Sequence, residues 1–335
     1  MKIPPKYEIN PKIERLLLIA SELFQTLESS QLSDVVLKYH RHKSILKSSL
    51  YSARIEGNQL DKTSLDKFRQ LPHSSAKLEI ANLVKTIDYI ESKTWTGELS
   101  LSDLKIIHSL VMSDLDMSAG HYRTESSAIF NSAGIAVYLC PPQIEVKDLM
   151  SRLLDFANHD MACLPLVRIA LIHYTFEKIH PFLDGNGRVG RSLVHLLLKK
   201  YGYSPKGMLP YEEYIDKHRG DYYALLGSEK SVITDFVEFI LEAFIYGLQQ
   251  VLNLTLAPLP ISKGILLLPR RGEILALIND HPLSSFDFIH RRFMAIPPRT
   301  LRYDLKYLVD HNFIVKLGTT NGVIYSPASS FLASQ

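Results

Sequence analysis

Apolar residues recur at three- and four-residue spacing over residues 13–27, 78–90, 104–112, 146–156 and 166–176, the period of helices that each bury one face. Further helices are predicted over residues 189–200 and, at greater length, 232–252. The exception lies at residues 126–138, where Ala128-Ile129-Phe130 and Ile135-Ala136-Val137-Tyr138 flank Asn131-Ser132-Ala133-Gly134. Two β-prone runs around turn residues read as a small hairpin flap. Ala257-Pro258-Leu259-Pro260 ends the long helical pattern, because proline has no amide donor to continue it.

The pattern resumes beyond those prolines with helices over residues 271–279 and 285–293 and a third starting at Pro297-Pro298-Arg299. Two strands, residues 313–316 and 323–325, then flank residues 318–322. This order resembles a winged helix, with Leu301, Leu305, Leu308 and Val309 inward and Arg299, Arg302 and Lys306 outward on its third helix, the stripe that a DNA-reading helix presents. A solvated face on a partner-binding module fits the same stripe.

At 335 residues, 46% hydrophobic and 22% charged, the chain is long enough for two or three folded domains and excludes wholesale disorder. The net charge of +3 is unevenly placed: residues 261–335 hold nine Lys/Arg against five acids, leaving −1 for the rest. Two cysteines, Cys140 and Cys163, cannot frame a disulfide scaffold or a cysteine zinc site, so a cytoplasmic location is expected. The one early apolar run, residues 16–20, is too short for a spanning helix, so no membrane partner is expected.

The most informative stretch, His180-Pro181-Phe182-Leu183-Asp184-Gly185-Asn186-Gly187-Arg188-Val189-Gly190-Arg191, joins two predicted helices. Gly185 and Gly187 around Asn186 let successive N–H groups converge on an anion where the next helix offers its positive end. Arg188 and Arg191 extend that cradle with planar donor forks. Asp184 is a hard ligand suited to Mg²⁺ between phosphates, and His180 is the side chain able to take a proton near neutral pH. Each piece alone is an ordinary turn, histidine or arginine. Together they place a base, a metal ligand, an anion cradle and two cations within twelve residues.

That stretch resembles the Fic family motif H-x-F-x-D/E-G-N-G-R-x-x-R at every defined position, and residues 173–179, Gly120-His121-Tyr122-Arg123 and Pro141-Pro142 extend the likeness over residues 101–226. The resemblance implies transfer of AMP from ATP to a Ser, Thr or Tyr hydroxyl of a target protein. His180 would then be the base, Asp184 the Mg²⁺ ligand, and Gly185, Asn186, Gly187, Arg188 and Arg191 the phosphate-binding set. Tyr222 falls on a stretch that lies near the adenine in the family, where it either stacks or packs in the core. The flap residues Ser126, Ala128, Ile129, Ile135 and Val137 would supply a strand edge for an extended target segment.

Far upstream, Ser52 and Glu56 share one face of a helix at about residues 43–57, closed by Gly57-Asn58. A glutamate near a helix C-terminus is disfavoured by the dipole, which hints at a cation elsewhere. The segment resembles the inhibitory motif S/T-x-x-x-E-G/N of the Fic family. By that likeness Glu56 pairs with Arg191 in the space the γ-phosphate needs; in some members the same carboxylate helps to remove AMP.

The expected fold class is therefore mainly α: a Fic-type helical core with a small β-hairpin flap, plus a C-terminal winged helix-turn-helix domain. The expected division is an N-terminal helical region (1–95), a catalytic core (96–252) and a winged-helix domain (261–335). The implied partners are a hydroxyl-bearing target protein, DNA or a protein on the tail, and a second copy of the chain as a homodimer. The competing reading is a DNA-binding transcriptional regulator whose Fic core senses nucleotide.

Overall fold

The computed structural model describes residues 1–30, 34–65, 68, 72–130, 136–228, 230–256, 269–310, 313–318 and 322–327. The proline-bearing boundary at residues 257–260 lies outside them. The chain divides into two compact units, Met1–Leu256 and Ala257–Gln335.

The first unit is built from ten helices and a hairpin among the described residues. Helices α1 (Pro11–Ser29), α2 (Asp34–Ile55), α3 (Ser75–Ser92) and α4 (Leu101–Val111) come first. Their starts follow the sequence chemistry: Asn10 accepts the Ile13 N–H at 2.9 Å ahead of α1, and Ser100 and Asp103 form a reciprocal capping box at α4. Strands β1 (Ala128–Phe130) and β2 (Ala136–Leu139) pair antiparallel, with Ile129 opposite Tyr138 and an irregularity after Ile129. Helices α5 (Val146–His159), α6 (Pro165–Ile179), α7 (Asn186–Lys200), α8 (Glu212–Lys217), α9 (Arg219–Gly227) and α10 (Thr234–Leu256) complete the unit.

Helix α6 is the axis of this unit. Every residue from Leu166 to Ile179 is buried, and α5, α7, α9 and α10 all pack on it. Each of its buried aliphatic side chains contributes about 1.5–3 kcal/mol, so the element that ends at His180 is among the most firmly held. Residues 1–95 do not stand apart from the core. Helix α1 lies along α10 and α2 packs on α3, α7 and α8, and one hydrophobic cluster runs from Ile13 to Val251. Two amphipathic helices of this length cannot bury their apolar faces on each other alone, so they share the larger core.

The second unit holds α11 (Pro269–Asp280), β3 (Ser284–Ser285), α12 (Phe286–Arg292), α13 (Pro298–Asp310), β4 (Ile314–Leu317) and β5 (Ile324–Pro327). Its antiparallel sheet has the order β3-β5-β4. Ile274, Ile278, Ile289, Leu301, Leu305 and Leu308 form its own core, beside a buried Asp304 that accepts from Arg270 and Arg271. Strand β3 is two residues long and carries no alternation that a sequence could display. Among the described residues, no helix is long and apolar enough to cross a membrane.

Candidate active site

The loop between α6 and α7 is shaped from both ends. His180 caps α6 in a left-handed conformation, φ 49°, which costs a non-glycine residue roughly 1–2 kcal/mol. Arg123 offsets this strain. Its buried guanidinium donates through Nε to the His180 carbonyl at 2.8 Å, and to the carbonyls of Glu125 at 2.7 Å and Pro141 at 2.5 Å. Its amide donates to the Pro181 carbonyl at 3.0 Å. One side chain thus ties the loop entrance to both ends of the flap.

Gly185 adopts φ 76° at the start of α7, and a Cβ there would meet Met112 Sδ at 2.5 Å. Glycine is required on both counts. Phe182 is fully buried and stacks on His108, with ring centroids 3.8 Å apart. His108 Nδ1 accepts the Gly120 N–H at 2.7 Å, so its Nε2 carries the proton and donates to the Asp184 carbonyl at 3.1 Å. Burial keeps this imidazole below its ordinary pKa, which preserves that tautomer.

Two residues singled out from sequence have their side chains engaged within the fold. Both ends of the Asn186 amide are used by Phe182: Oδ1 accepts its N–H and Nδ2 donates to its carbonyl, each at 2.8 Å. Asn186 therefore staples the turn with its side chain, while its backbone N–H belongs to the donors left free at the start of α7. Tyr222 is buried, with its ring against His173, Tyr223, Phe236 and Phe239 and its hydroxyl 3.0 Å from His173 Nε2. It is a packing residue at the pocket wall, and its faces are not open for stacking.

Arg191 has no exposed side-chain surface. Its Nε donates to Ser52 Oγ at 2.9 Å, and its Nη2 donates to the Ser52 carbonyl at 2.8 Å and to Glu56 Oε1 at 2.9 Å. Glu56 stands one residue beyond α2, where Gly57 N–H bonds Arg54 and Asn58 N–H bonds Ala53. This Schellman-type close, with Gly57 at φ 99°, turns the carboxylate towards α7. Helix α2 itself is pinned to α8 by Lys47–Glu213, Tyr51–Glu213 and Arg54–Asp216, and by Ser48, which shares Glu212 with His195.

His180, Gly187, Glu56, Ala128 and Ile129 line one cavity of about 200 Å³ together with Glu177, Tyr222, Tyr223 and Leu226. This is smaller than the roughly 300–1,000 Å³ of common ligand sites, and Glu56 fills part of it: a Cβ on Gly187 would lie 2.1 Å from its Oε1. His180 is half-buried and its pKa is lowered, mainly by burial. Its Nδ1 sits 3.4 Å from the Glu177 carbonyl, which leaves Nε2 as the proton acceptor. Arg188 lies near Glu79 at 3.7 Å and Asp184 at 3.2 Å, and the Asp184 carboxylate is largely exposed. Of the flap residues, Ser126 is exposed ahead of β1, Ala128 and Ile129 face the cavity, and Val137 lies in β2. Ile135 lies outside the described residues.

Sequence reasoning did not assign functional roles to His108, Arg123 or Glu177. Arg123 falls within a quoted family segment, but nothing in the spacing tells that it holds the loop.

Residues 98–198 match the model of the Fic/DOC family. Among curated relatives, the protein adenylyltransferase Fic of Drosophila virilis is 26% identical over 292 residues, covering 83% of this chain and 57% of that protein. The protein adenylyltransferase fic-1 of Caenorhabditis briggsae is 33% identical over 132 residues, 38% of this chain and 24% of that protein. The chain thus spans about half, or less, of the length of these relatives. Among solved structures, a Fic family protein from Desulfovibrio desulfuricans G20 superposes with a TM-score of 0.65 at 26% identity, covering 96% of this chain and 98% of that one. A Fic-domain signalling protein from Bacteroides thetaiotaomicron VPI-5482 shares the fold, with a TM-score of 0.58 at 20% identity over 73% of this chain and 97% of that one.

Proposed function

We propose that this chain is a protein adenylyltransferase held inactive by its own Glu56. The observation that carries the reading is the single cavity lined by His180, Gly187 and Glu56, the last bonded to Arg191 at 2.9 Å. Support comes from the adenylyltransferase relatives and from the loop geometry.

In the reaction, a target hydroxyl attacks the α-phosphorus of ATP while His180 Nε2 takes its proton. The new P–O bond forms as the bond to pyrophosphate breaks. The N–H groups at the start of α7 and the guanidinium of Arg191 meet the phosphate charge, and because they are fixed beforehand they need no reorganisation in the transition state. Such a role for Arg191 requires that Glu56 leave it. Asp184 fits Mg²⁺, which commonly takes one or two carboxylates and fills its shell with phosphate oxygens and water; when bound, the ion would supply positive charge to the departing pyrophosphate. Arg188, beside Asp184, would hold that carboxylate in place. The edge of β1 would align an extended target segment through its backbone. The buried, unpaired Cys140 and Cys163 support a reducing, cytoplasmic setting.

We read the second unit as a winged-helix module whose α13 exposes Arg299, Arg302 and Lys306. Electrophoretic mobility of duplex DNA with the full chain at rising salt tests it as a DNA-binding surface; no shift at low salt removes that role.

The test of the main reading is mass spectrometry of the Glu56→Gly protein after incubation with Mg²⁺, ATP and a cell extract. AMP adducts on protein are expected, and their absence from both the enzyme and the extract would overturn it.

A further inference from the structure

The pocket contains a second carboxyl that the transfer chemistry leaves unused. Glu177 projects from α6, three residues before His180, and is almost fully buried, yet it lines the same cavity as Glu56. Its Oε1 has no hydrogen-bond partner, and neither does Nη1 of the fully buried Arg191. Space for Glu177 is made by α7: a Cβ on Gly190 would lie 2.1 Å from Oε1, and one on Gly187 would lie 3.1 Å from Arg191 Nη1. One guanidinium therefore feels two carboxyls: Glu56 is bonded to it, while Glu177 acts on it through charge without a hydrogen bond, its Oε1 lying 3.9 Å from His173 Nδ1.

We propose that Glu177 is a positioning residue that competes with the nucleotide for Arg191: it is protonated while Glu56 or a terminal phosphate occupies the guanidinium, and ionised against Arg191 when neither does. The inference rests on the adenylyltransferase reading and specifies how its Arg191 is regulated.

The electrostatics follow from charge counting. Two carboxylates beside one buried cation leave a net negative charge in a poorly solvated space, so one of them stays neutral. Burial, opposed by Arg191 and reinforced by Glu56, pushes the Glu177 carboxyl up to about 8, and it is the neutral member near pH 7. Removing Glu56 removes its repulsion, and Glu177 then ionises more readily. Adding a triphosphate restores negative charge at Arg191, and Glu177 takes its proton back. Nucleotide binding is thereby linked to proton uptake. The other titratable groups facing Glu177 stay uncharged near pH 8, among them Cys140 beyond β2 and Tyr211 ahead of α8, both raised by burial. On α6, His173 is lowered to about 3 and His180 is lowered too; on α9, Tyr222 and Tyr223 are both raised. Arg191 on α7 stays charged.

The experiment is calorimetric titration of the Glu56→Gly protein with α,β-methylene ATP at pH 8, in two buffers of different ionisation enthalpy. This analogue keeps the outer phosphates and cannot transfer adenylate. The expected result is uptake of about half a proton or more per nucleotide bound, with affinity weakening by up to about tenfold per pH unit as pH rises towards 8 and levelling off above the pKa of the bound state. In the Glu56→Gly, Glu177→Gln protein both the uptake and the alkaline loss of affinity disappear. Binding without proton uptake overturns the competition and leaves the adenylyltransferase reading intact, as does uptake that persists in the double variant. No binding at any pH overturns both. The first titration keeps Glu177 and decides the matter even if the double variant does not fold.

Discussion

Nη2 of Arg191 donates at once to the Ser52 carbonyl at 2.8 Å and to Glu56 Oε1 at 2.9 Å. A single guanidinium therefore joins the end of α2 to the second turn of α7, with Ser52 Oγ holding Nε in the same orientation. Both Ser52 contacts are independent of the Glu56 carboxylate and should keep Arg191 in place when it is removed.

Glu56→Gly should accordingly raise AMP transfer sharply without displacing Arg191. The cost in stability should be modest, about 1–2 kcal/mol, because the Glu56 side chain is about one-third exposed and the buried cation retains both Ser52 contacts. Transfer of α-labelled adenylate together with a urea melt checks both halves.

His180→Ala in the Glu56→Gly background should lower transfer by about 10²- to 10⁴-fold and leave ATP affinity largely unchanged. The imidazole is a base only when neutral, and burial lowers its pKa from 6.5. The acid limb of the rate should therefore fall below pH 6.5. A limb centred above 7 in the pH profile of kcat/KM would contradict the assignment.

His108→Phe keeps an aromatic ring against Phe182 but removes the acceptor for Gly120 N–H and the donor to the Asp184 carbonyl. Leaving a buried group unpaired costs about 1–3 kcal/mol, and both of these part-buried groups should cost at the low end of that range or below it. We expect a lowered melting temperature and weaker nucleotide binding, with the position of the pH profile unmoved, since His108 touches no reacting atom. Calorimetry and nucleotide titration of the variant measure the two effects.

Acid should destabilise the first unit before its carboxylates titrate. His108 and His173 are fully buried with pKa values below 6.5, the latter at about 3, so below pH 6.5 the unfolded chain binds protons that the folded chain refuses. Their contribution is complete above 6.5 and is lost as pH falls towards the folded values. His195 acts oppositely: burial lowers it but Glu212 outweighs this and raises it, so its contribution is fully present below 6.5. Below 6.5 His195 is charged in both states and drops out of the slope, whereas Glu177, neutral in the folded chain and ionised in the unfolded one, offsets about one of the two protons that His108 and His173 refuse. The net of about one proton gives a loss of about 1.4 kcal/mol per pH unit. The urea midpoint should drop between pH 6.5 and 5, and a midpoint that rises over that range would refute the balance.

How much of this could be read from the chain alone depends on sequence distance. The turn at 180–191 was legible because its histidine, glycines and arginines are local and their chemistry is carried by residue type. The pairing of Ser52 with Glu56 on one face was legible from helical spacing. His108 was not, since its partner carbonyl lies 76 residues away and nothing in a lone histidine on α4 tells where its second nitrogen points. The side-chain role of Asn186 was hidden for a related reason: an amide in a glycine turn announces hydrogen bonding, but only the folded loop shows both ends closing on Phe182. The flap was visible as two β-prone runs, although the irregular register after Ile129 has no sequence signal.

The Glu56–Arg191 clasp lies within a single chain, between segments that share one core. Its two halves thus meet at a fixed effective concentration that dilution of the protein does not change. In the proposed enzyme, release would answer to whatever rival anion is abundant at Arg191, and the degree of restraint would become a readout of free triphosphate rather than of how much of this protein is present.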